Sequence, residues 1–218
     1  MSLIVLEGID ASGKKTQAEL LVKRLRQRGK KAVLIDFPSY NTIFGKLITK
    51  YLKGEFGQRE KVSRQFASLL YALDRYSRKK EIEDYLRKGF IVVLDRYTQA
   101  NLAYQTVGLK ENQRRKLIKW IEDVEEGLPQ ADVIVFLDVP PGQSSNLLGK
   151  RKSKIKGVRK DIHEKDFGFI TKVYMNYKRF ASERKWIVVK CVQKGGMKSK
   201  EEILNLVFNS LRKRRLVE

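Results

Sequence analysis

The residues that could do chemistry begin at position 8. Gly8-Ile9-Asp10-Ala11-Ser12-Gly13-Lys14-Lys15-Thr16 follows an apolar run, Leu3-Ile4-Val5-Leu6, and precedes a segment with helical spacing. Glycines let a backbone curl until its N–H groups point inward, a helix start adds the positive end of a dipole, and Lys14 supplies a point charge. Strand, glycine turn and helix in that order make a cradle for phosphates, with Gly8, Ser12, Gly13, Lys14, Lys15 and Thr16 as its lining. One position departs from the pattern. A Ser or Thr that contacts Mg²⁺ ordinarily follows the lysine, whereas this chain has Lys15, with Thr16 one step on. A helix turns about 100° per residue, so Thr16 cannot take over the same direction, and direct Mg²⁺ coordination by the turn is left open.

Such a turn needs a sheet behind it, and the apolar runs supply one. Leu3 to Leu6, Ala32 to Ile35, Phe90 to Leu94, Val133 to Leu137 and Trp186 to Val189 are continuous rather than alternating, as in parallel strands covered by helices on both faces. Between them lie helical spacings at Ala18, Leu21, Val22 and Leu25, at Phe66, Leu69, Leu70 and Leu73, and at Leu117, Ile118, Ile121 and Val124. Gly29, Gly54, Gly57, Gly89 and Gly127-Leu128-Pro129 punctuate the alternation. The pattern predicts a single α/β domain over residues 1–218. From Gly149 to Lys160 the composition shifts, with Lys150, Arg151, Lys152, Lys154, Lys156, Arg159 and Lys160 crowded together, either a mobile basic loop or a solvated charge run.

The 218 residues carry 47 Lys and Arg against 25 Asp and Glu, a formal net charge of +22. Nucleic-acid binding, an anionic substrate and a charge-rich, heat-stable surface all fit that excess. With Cys191 the one cysteine and His163 the one histidine, an internal disulfide is impossible, a His/Cys zinc site lacks ligands, and a hydrolase triad is disfavoured. The longest apolar runs are far short of the ~20 residues that cross a bilayer, and the start of the chain has no signal-peptide pattern, so the expectation is a soluble, cytoplasmic protein.

Several stretches in sequence order then become specific. Glu7-Gly8-Ile9-Asp10 with Gly13-Lys14, Phe37-Pro38 followed by Gly45-Lys46-Leu47, Leu70-Tyr71-Ala72-Leu73-Asp74-Arg75, Asp95-Arg96-Tyr97 with Ala103-Tyr104-Gln105, and Leu137-Asp138-Val139-Pro140-Pro141 together resemble the thymidylate kinases, P-loop nucleoside-monophosphate kinases. The likeness covers nearly the whole chain. It implies a three-layer P-loop kinase fold with a five-stranded parallel sheet and a mobile basic lid inserted at about 149–165. It also implies transfer of the γ-phosphoryl group of ATP to dTMP, with Mg²⁺ as cofactor and a homodimer as the usual assembly.

The same resemblance assigns roles. Arg96, at the end of a buried strand, would grip the dTMP phosphate with its planar fork. Tyr71 and Arg75, four apart on one helix face, would stack on the base and donate to a ring carbonyl, unless Tyr71 is simply core. Asn101 and Gln105 would read the thymine edge, and Tyr104 between them would crowd a 2′-hydroxyl. Ala100 stands where a serine is usual, so one polar contact is missing. Phe37 and Tyr40 would line the acceptor site. Asp10, turned toward the acceptor, is the first metal-ligand candidate and Asp95 the second. Ala11 stands where some members carry a P-loop arginine, so the lid, through Arg151 and Arg159, would bring cationic charge to the transferring phosphoryl group. Asp161, Glu164, Phe169 and Tyr177 resemble the helix after the lid, and His163 reads as a lid residue without a chemical role.

The expected activity is therefore that of an ATP-dependent dTMP kinase acting on small substrates, with no membrane partner and no specific nucleic acid. A kinase for another deoxynucleotide or a deoxynucleoside is the nearest rival. A nucleic-acid-binding protein on a kinase scaffold is the other, prompted by the net charge and by Arg212-Lys213-Arg214-Arg215.

Overall fold

The computed structural model describes residues 1–150, 162–164, 166–194 and 196–217, with side chains as far as 147 in the first segment. Arg151, Arg159, Asp161 and nearly all of the basic run lie outside the described residues. The five apolar runs form β1 (Ser2–Glu7), β2 (Ala32–Asp36), β3 (Ile91–Asp95), β4 (Val133–Asp138) and β5 (Ile187–Lys190). They make one sheet in the order β2-β3-β1-β4-β5, and every pairing is parallel. The central β1 is buried along its whole length, while the edge strand β5 leaves Val188 exposed. Continuous apolar runs fold this way because a parallel strand has no solvent face to keep polar.

Alternate residues of β1 feed opposite layers. Ile4 and Leu6 pack with Leu21, Val22 and Leu25 of α1 (Lys14–Gln27) and with Val207, Phe208 and Leu211 of α9 (Lys200–Lys213). Leu3 and Val5 pack with Ile82 of α4 (Lys79–Arg87) and Leu128. A third cluster joins Phe136 to Leu102 of α5 (Thr98–Gln105), Leu117 and Ile121 of α6 (Glu111–Val124), and Val173, Tyr177 and Phe180 of α8 (Phe167–Glu183). Helix α7 (Pro141–Lys150) follows β4, and a short antiparallel hairpin, β6 (Val192–Gln193) with β7 (Gly196–Met197), precedes α9. The hairpin is too short for any periodicity to announce it.

The apolar stripe of α3 (Arg64–Ser77) behaves differently from expectation. Leu70 is buried with Ala67 against Ile48, Tyr51 and Leu52 of α2 (Ile43–Lys53). Phe66, Leu69, Leu73 and Tyr76, however, are 36–41% exposed. The helix spends its inward face on Ser68, Ala72, Asp74 and Arg75, so a row of large apolar side chains is left outward. Gly45 lets α2 come close to the loop after β2: a Cβ there would lie 1.9 Å from the Ser39 carbonyl oxygen. Asp74 holds the same loop, accepting from the Ser39 backbone N–H at 2.8 Å and the Thr42 hydroxyl at 3.0 Å.

Candidate active site

Strands β1 and β3 end level, with Leu6 opposite Asp95, and β1 separates β3 from β4. In a parallel sheet that is the crevice where ligands sit. The chain leaves β1 through Gly8 at φ 151°, where a Cβ would lie 2.8 Å from the Ser12 hydroxyl oxygen and 3.0 Å from the Leu137 carbonyl. It enters α1 through Gly13 in the left-handed conformation, which offers no side-chain cap to the first-turn N–H groups. Lys14 and Lys15 open that helix, where the dipole favours anions over cations. Uncapped donors and misplaced cations are both what an anion would resolve. Lys14 is buried and folded over the turn, its Nζ 2.7 Å from the Ile9 carbonyl and 3.3 Å from the Ser12 Oγ. Lys15 is exposed and Thr16 half-buried.

Across from this turn stands Arg96, one residue beyond β3, in a left-handed backbone conformation (φ 68°) that a side chain of its size seldom adopts. Its Nη2 lies 2.7 Å from Asp10 Oδ1 and 3.3 Å from the Tyr104 hydroxyl, and its Nη1 donates to the Tyr177 hydroxyl at 3.1 Å. Tyr104 in turn donates to Asp10 Oδ2 at 2.7 Å, and Tyr177 to Glu7 Oε2 at 2.8 Å. Glu7 also accepts from the Tyr97 backbone N–H at 2.9 Å and is fully buried. Burial raises the Glu7 carboxyl above the usual range, against the pull of Arg96, the Tyr97 N–H, Tyr177 and Lys14. Burial works against the Arg96 charge as well, but Tyr104, Asp10, Tyr177 and Glu7 outweigh it, so the guanidinium stays charged. The arginine is thus clamped from three sides, and its ion-pair partner is Asp10 rather than the adjacent Asp95.

Asp95 is buried at the end of β3, and its Oδ1 has no hydrogen-bond partner. Asp10 has both carboxylate oxygens engaged by Arg96 and Tyr104. Among the described residues no cluster of three or more His, Cys, Asp or Glu side chains could hold a metal unaided. One unpartnered carboxylate oxygen beside a phosphate cradle fits a Mg²⁺ held mainly by phosphates and water, the habit of that ion.

The residues expected on the acceptor side are half-buried or buried. Tyr40 and Tyr71 pack half-buried on the α2–α3 cluster, with the Tyr71 ring edge-on to Tyr51 at 6.3 Å. Phe37 is core, its ring tilted against Tyr97 at 5.8 Å. Arg75, Asn101 and Gln105 are all buried. Arg75 forms a short ion pair with Glu125, which also accepts from Asn101 Nδ2 at 3.0 Å. Burial raises the Glu125 carboxyl, and Arg75 pulls it back. Gln105 lines a cavity of about 330 Å³ with Tyr51, Arg59, Arg64, Tyr104 and His163.

His163, expected as a lid residue without a chemical role, packs into the body of the protein. It is buried, stacked on Phe169 at 5.2 Å and edge-on to Tyr51 and Tyr104, while the Ile162 N–H donates to the Leu52 carbonyl at 3.1 Å. Ile162 therefore packs on the α2–α3 cluster, and His163 lines the cavity beside it. Sequence reasoning also missed Glu7, Glu125 and Ser144, whose hydroxyl donates to the Asp10 carbonyl at 2.6 Å. Only Glu7, an acid closing an apolar run, left a local signal.

Comparison with known proteins gives one family. The profile of the thymidylate kinases matches residues 6–203. The chain is 34% identical over 194 residues to the thymidylate kinase of Plasmodium falciparum, covering 88% of this chain and 82% of that one. It is 32% identical over 210 residues to a probable thymidylate kinase of Pyrococcus abyssi, covering 95% and 96%. The solved thymidylate kinase of Candida albicans superposes with a TM-score of 0.79 at 27% identity, covering all of this chain and 93% of that one.

Proposed function

The chain belongs to the thymidylate kinase family and is an ATP-dependent dTMP kinase, and from that premise we propose how its own residues carry the reaction. The observation that carries the assignment is the clamped Arg96 facing the phosphate turn. On the donor side Gly8, Ser12, Gly13, Lys14, Lys15 and Thr16 cradle the ATP phosphates, and Lys14 leaves the Ile9 carbonyl for a phosphate oxygen. On the acceptor side the Arg96 fork takes the dTMP phosphate, whose oxygen is already a nucleophile. No general base is required; positioning and charge neutralisation supply the rate. Asp10 and Tyr104 keep Arg96 aimed, and Tyr104 stands against the sugar. Tyr71 stacks on the base, Arg75, Asn101 and Gln105 read its edge, and Phe37 and Tyr40 close the side of the site.

Asp10, expected as the first metal ligand, has both oxygens engaged by Arg96 and Tyr104, so Asp95 would be the main holder of Mg²⁺ with Asp10 in support, and the ion when bound would neutralise the phosphates. Arg151 and Arg159 of the lid, within one kinase domain of residues 1–218 with its insertion at about 149–165, are assigned the charge on the transferring group. The outward row Phe66, Leu69, Leu73 and Tyr76 on α3 supports a homodimer through that face. Among the described residues no helix is long and apolar enough to cross a membrane. We assign the enzyme to the cytoplasm, and its positive charge to nucleotide binding and a charge-rich surface rather than to specific nucleic-acid recognition.

The test is ADP formation from ATP with dTMP, titrated with Mg²⁺, in wild type and Arg96→Lys. A lysine keeps the charge and loses the fork, so kcat/KM for dTMP should fall about 100-fold, ~3 kcal/mol of transition-state binding. An unchanged value would remove Arg96 from the phosphate.

A further inference from the structure

Glu125 is the C-cap residue of α6, buried, with one carboxylate oxygen shared between two donors. Oε1 accepts from Arg75 Nη2 and from Asn101 Nδ2. The same Asn101 Nδ2 also donates to the Ser68 carbonyl at 3.1 Å. Both amide hydrogens are thereby committed to acceptors. A flipped amide would turn its oxygen onto a carbonyl and a carboxylate, so the network permits one orientation only. Two buried polar atoms of this trio have no hydrogen-bond partner: Asn101 Oδ1, an acceptor, and Arg75 Nε, a donor. Both residues are 2% exposed, where an unmade hydrogen bond is costly.

One acceptor and one donor left over match the edge of thymine, whose N3–H donates and whose O4 accepts. Uracil offers the same edge. Cytosine offers the reverse, an N3 acceptor beside an N4 amino donor. We propose that Glu125 is the positioning residue that sets pyrimidine specificity: by holding Asn101 in one amide orientation and Arg75 beside it, it admits the thymine edge and rejects the cytosine edge. Nothing in the inference requires Glu125 to touch substrate. It rests on the reading of Arg75 and Asn101 as the base-binding pair.

The experiment measures kcat and KM for dTMP, dUMP and dCMP in wild type, Glu125→Ala and Glu125→Gln, with N3-methylated dTMP as a further acceptor for the wild type. In Glu125→Ala the amide keeps only the Ser68 carbonyl to fix its orientation and Arg75 loses its ion-pair partner, so the preference for dTMP over dCMP should fall about tenfold, carried by KM rather than kcat. The dTMP to dUMP ratio should stay within about threefold, because those bases share the edge. Glu125→Gln retains an acceptor oxygen at the same reach and should keep most of the preference. A structural role alone would lower all three acceptors together, and that result, or an unchanged dTMP to dCMP ratio in folded Glu125→Ala, overturns the proposal. Should that variant fail to fold with Arg75 left unpaired, Arg75→Met with Glu125→Leu removes both charges and is compared with Arg75→Met alone. A further loss of preference supports the proposal and an equal preference overturns it. Wild type that phosphorylates N3-methylated dTMP as well as dTMP would sink the base-edge reading itself. Rejection of that acceptor, together with full preference in Glu125→Ala, would sink the role of Glu125 alone.

Discussion

His163 is a buried imidazole with a measurable consequence for stability. Burial, opposed by Asp10 and reinforced by Arg59 and Arg96, lowers its pKa from the ordinary 6.5 to about 4. The folded protein therefore holds it neutral while the unfolded chain takes up a proton near pH 6.5. A cationic group depressed in this way contributes stability that is complete above pH 6.5 and lost as the pH falls toward 4. At pH 5 the linkage amounts to about 2 kcal/mol relative to pH 7.5. His163→Phe keeps a flat ring among Tyr51, Tyr104 and Phe169 and cannot titrate. Urea unfolding of both proteins at pH 7.5, 6 and 5 isolates the residue, because all other groups cancel in the difference. Wild type should lose about 2 kcal/mol more than the variant over that range. Because the folded protein keeps His163 neutral well below pH 6.5, KM for dTMP should follow the same course with pH in both proteins over this range. Stability profiles that run parallel within about 0.5 kcal/mol would refute the neutral, buried imidazole.

Three further outcomes follow from contacts elsewhere. Tyr177→Phe deletes the hydroxyl that links Arg96 to Glu7; unfolding free energy should drop by ~1–3 kcal/mol and KM for dTMP should rise, and an unchanged denaturation midpoint would argue against the link. Gly45→Ala places a methyl against the Ser39 carbonyl, and a loss of ~1–3 kcal/mol, read as a lower Tm, should accompany weaker dTMP binding because the loop that moves bears Tyr40. Leu73→Glu puts a charge in the outward row of α3; on the proposed homodimer, light scattering should report a dimer for wild type and a monomer for the folded variant, and identical masses would argue against this face as the interface.

Much of this architecture was legible in the chain because it is written locally. Each of the five strands coincides with a continuous apolar run, with no end shifted by more than one residue. The phosphate turn is contiguous, and its glycines take the positive φ values that the turn demands. The stripe on α3 was legible as a stripe but not as to which side it faces, since periodicity places residues on a common face without saying what covers it. The basic run from Lys150 to Lys160, and with it Arg151 and Arg159, lies almost wholly outside the described residues.

The candidate site divides the same way. A strand-end position and the family resemblance pointed to Arg96 and Asp10, yet their ion pair joins positions 86 apart in sequence. Glu125 and Glu126 are indistinguishable by type and spacing, but one is buried on Arg75 and Asn101 while the other is exposed. The amino-acid sequence by itself determined the parallel sheet, the phosphate turn and the family, because those depend on short-range pattern and on residue types that few other chemistries require. Which carboxylate pairs with which cation, which way Asn101 faces and whether His163 carries charge were decided only by tertiary structure, because burial and hydrogen bonding between distant segments set them.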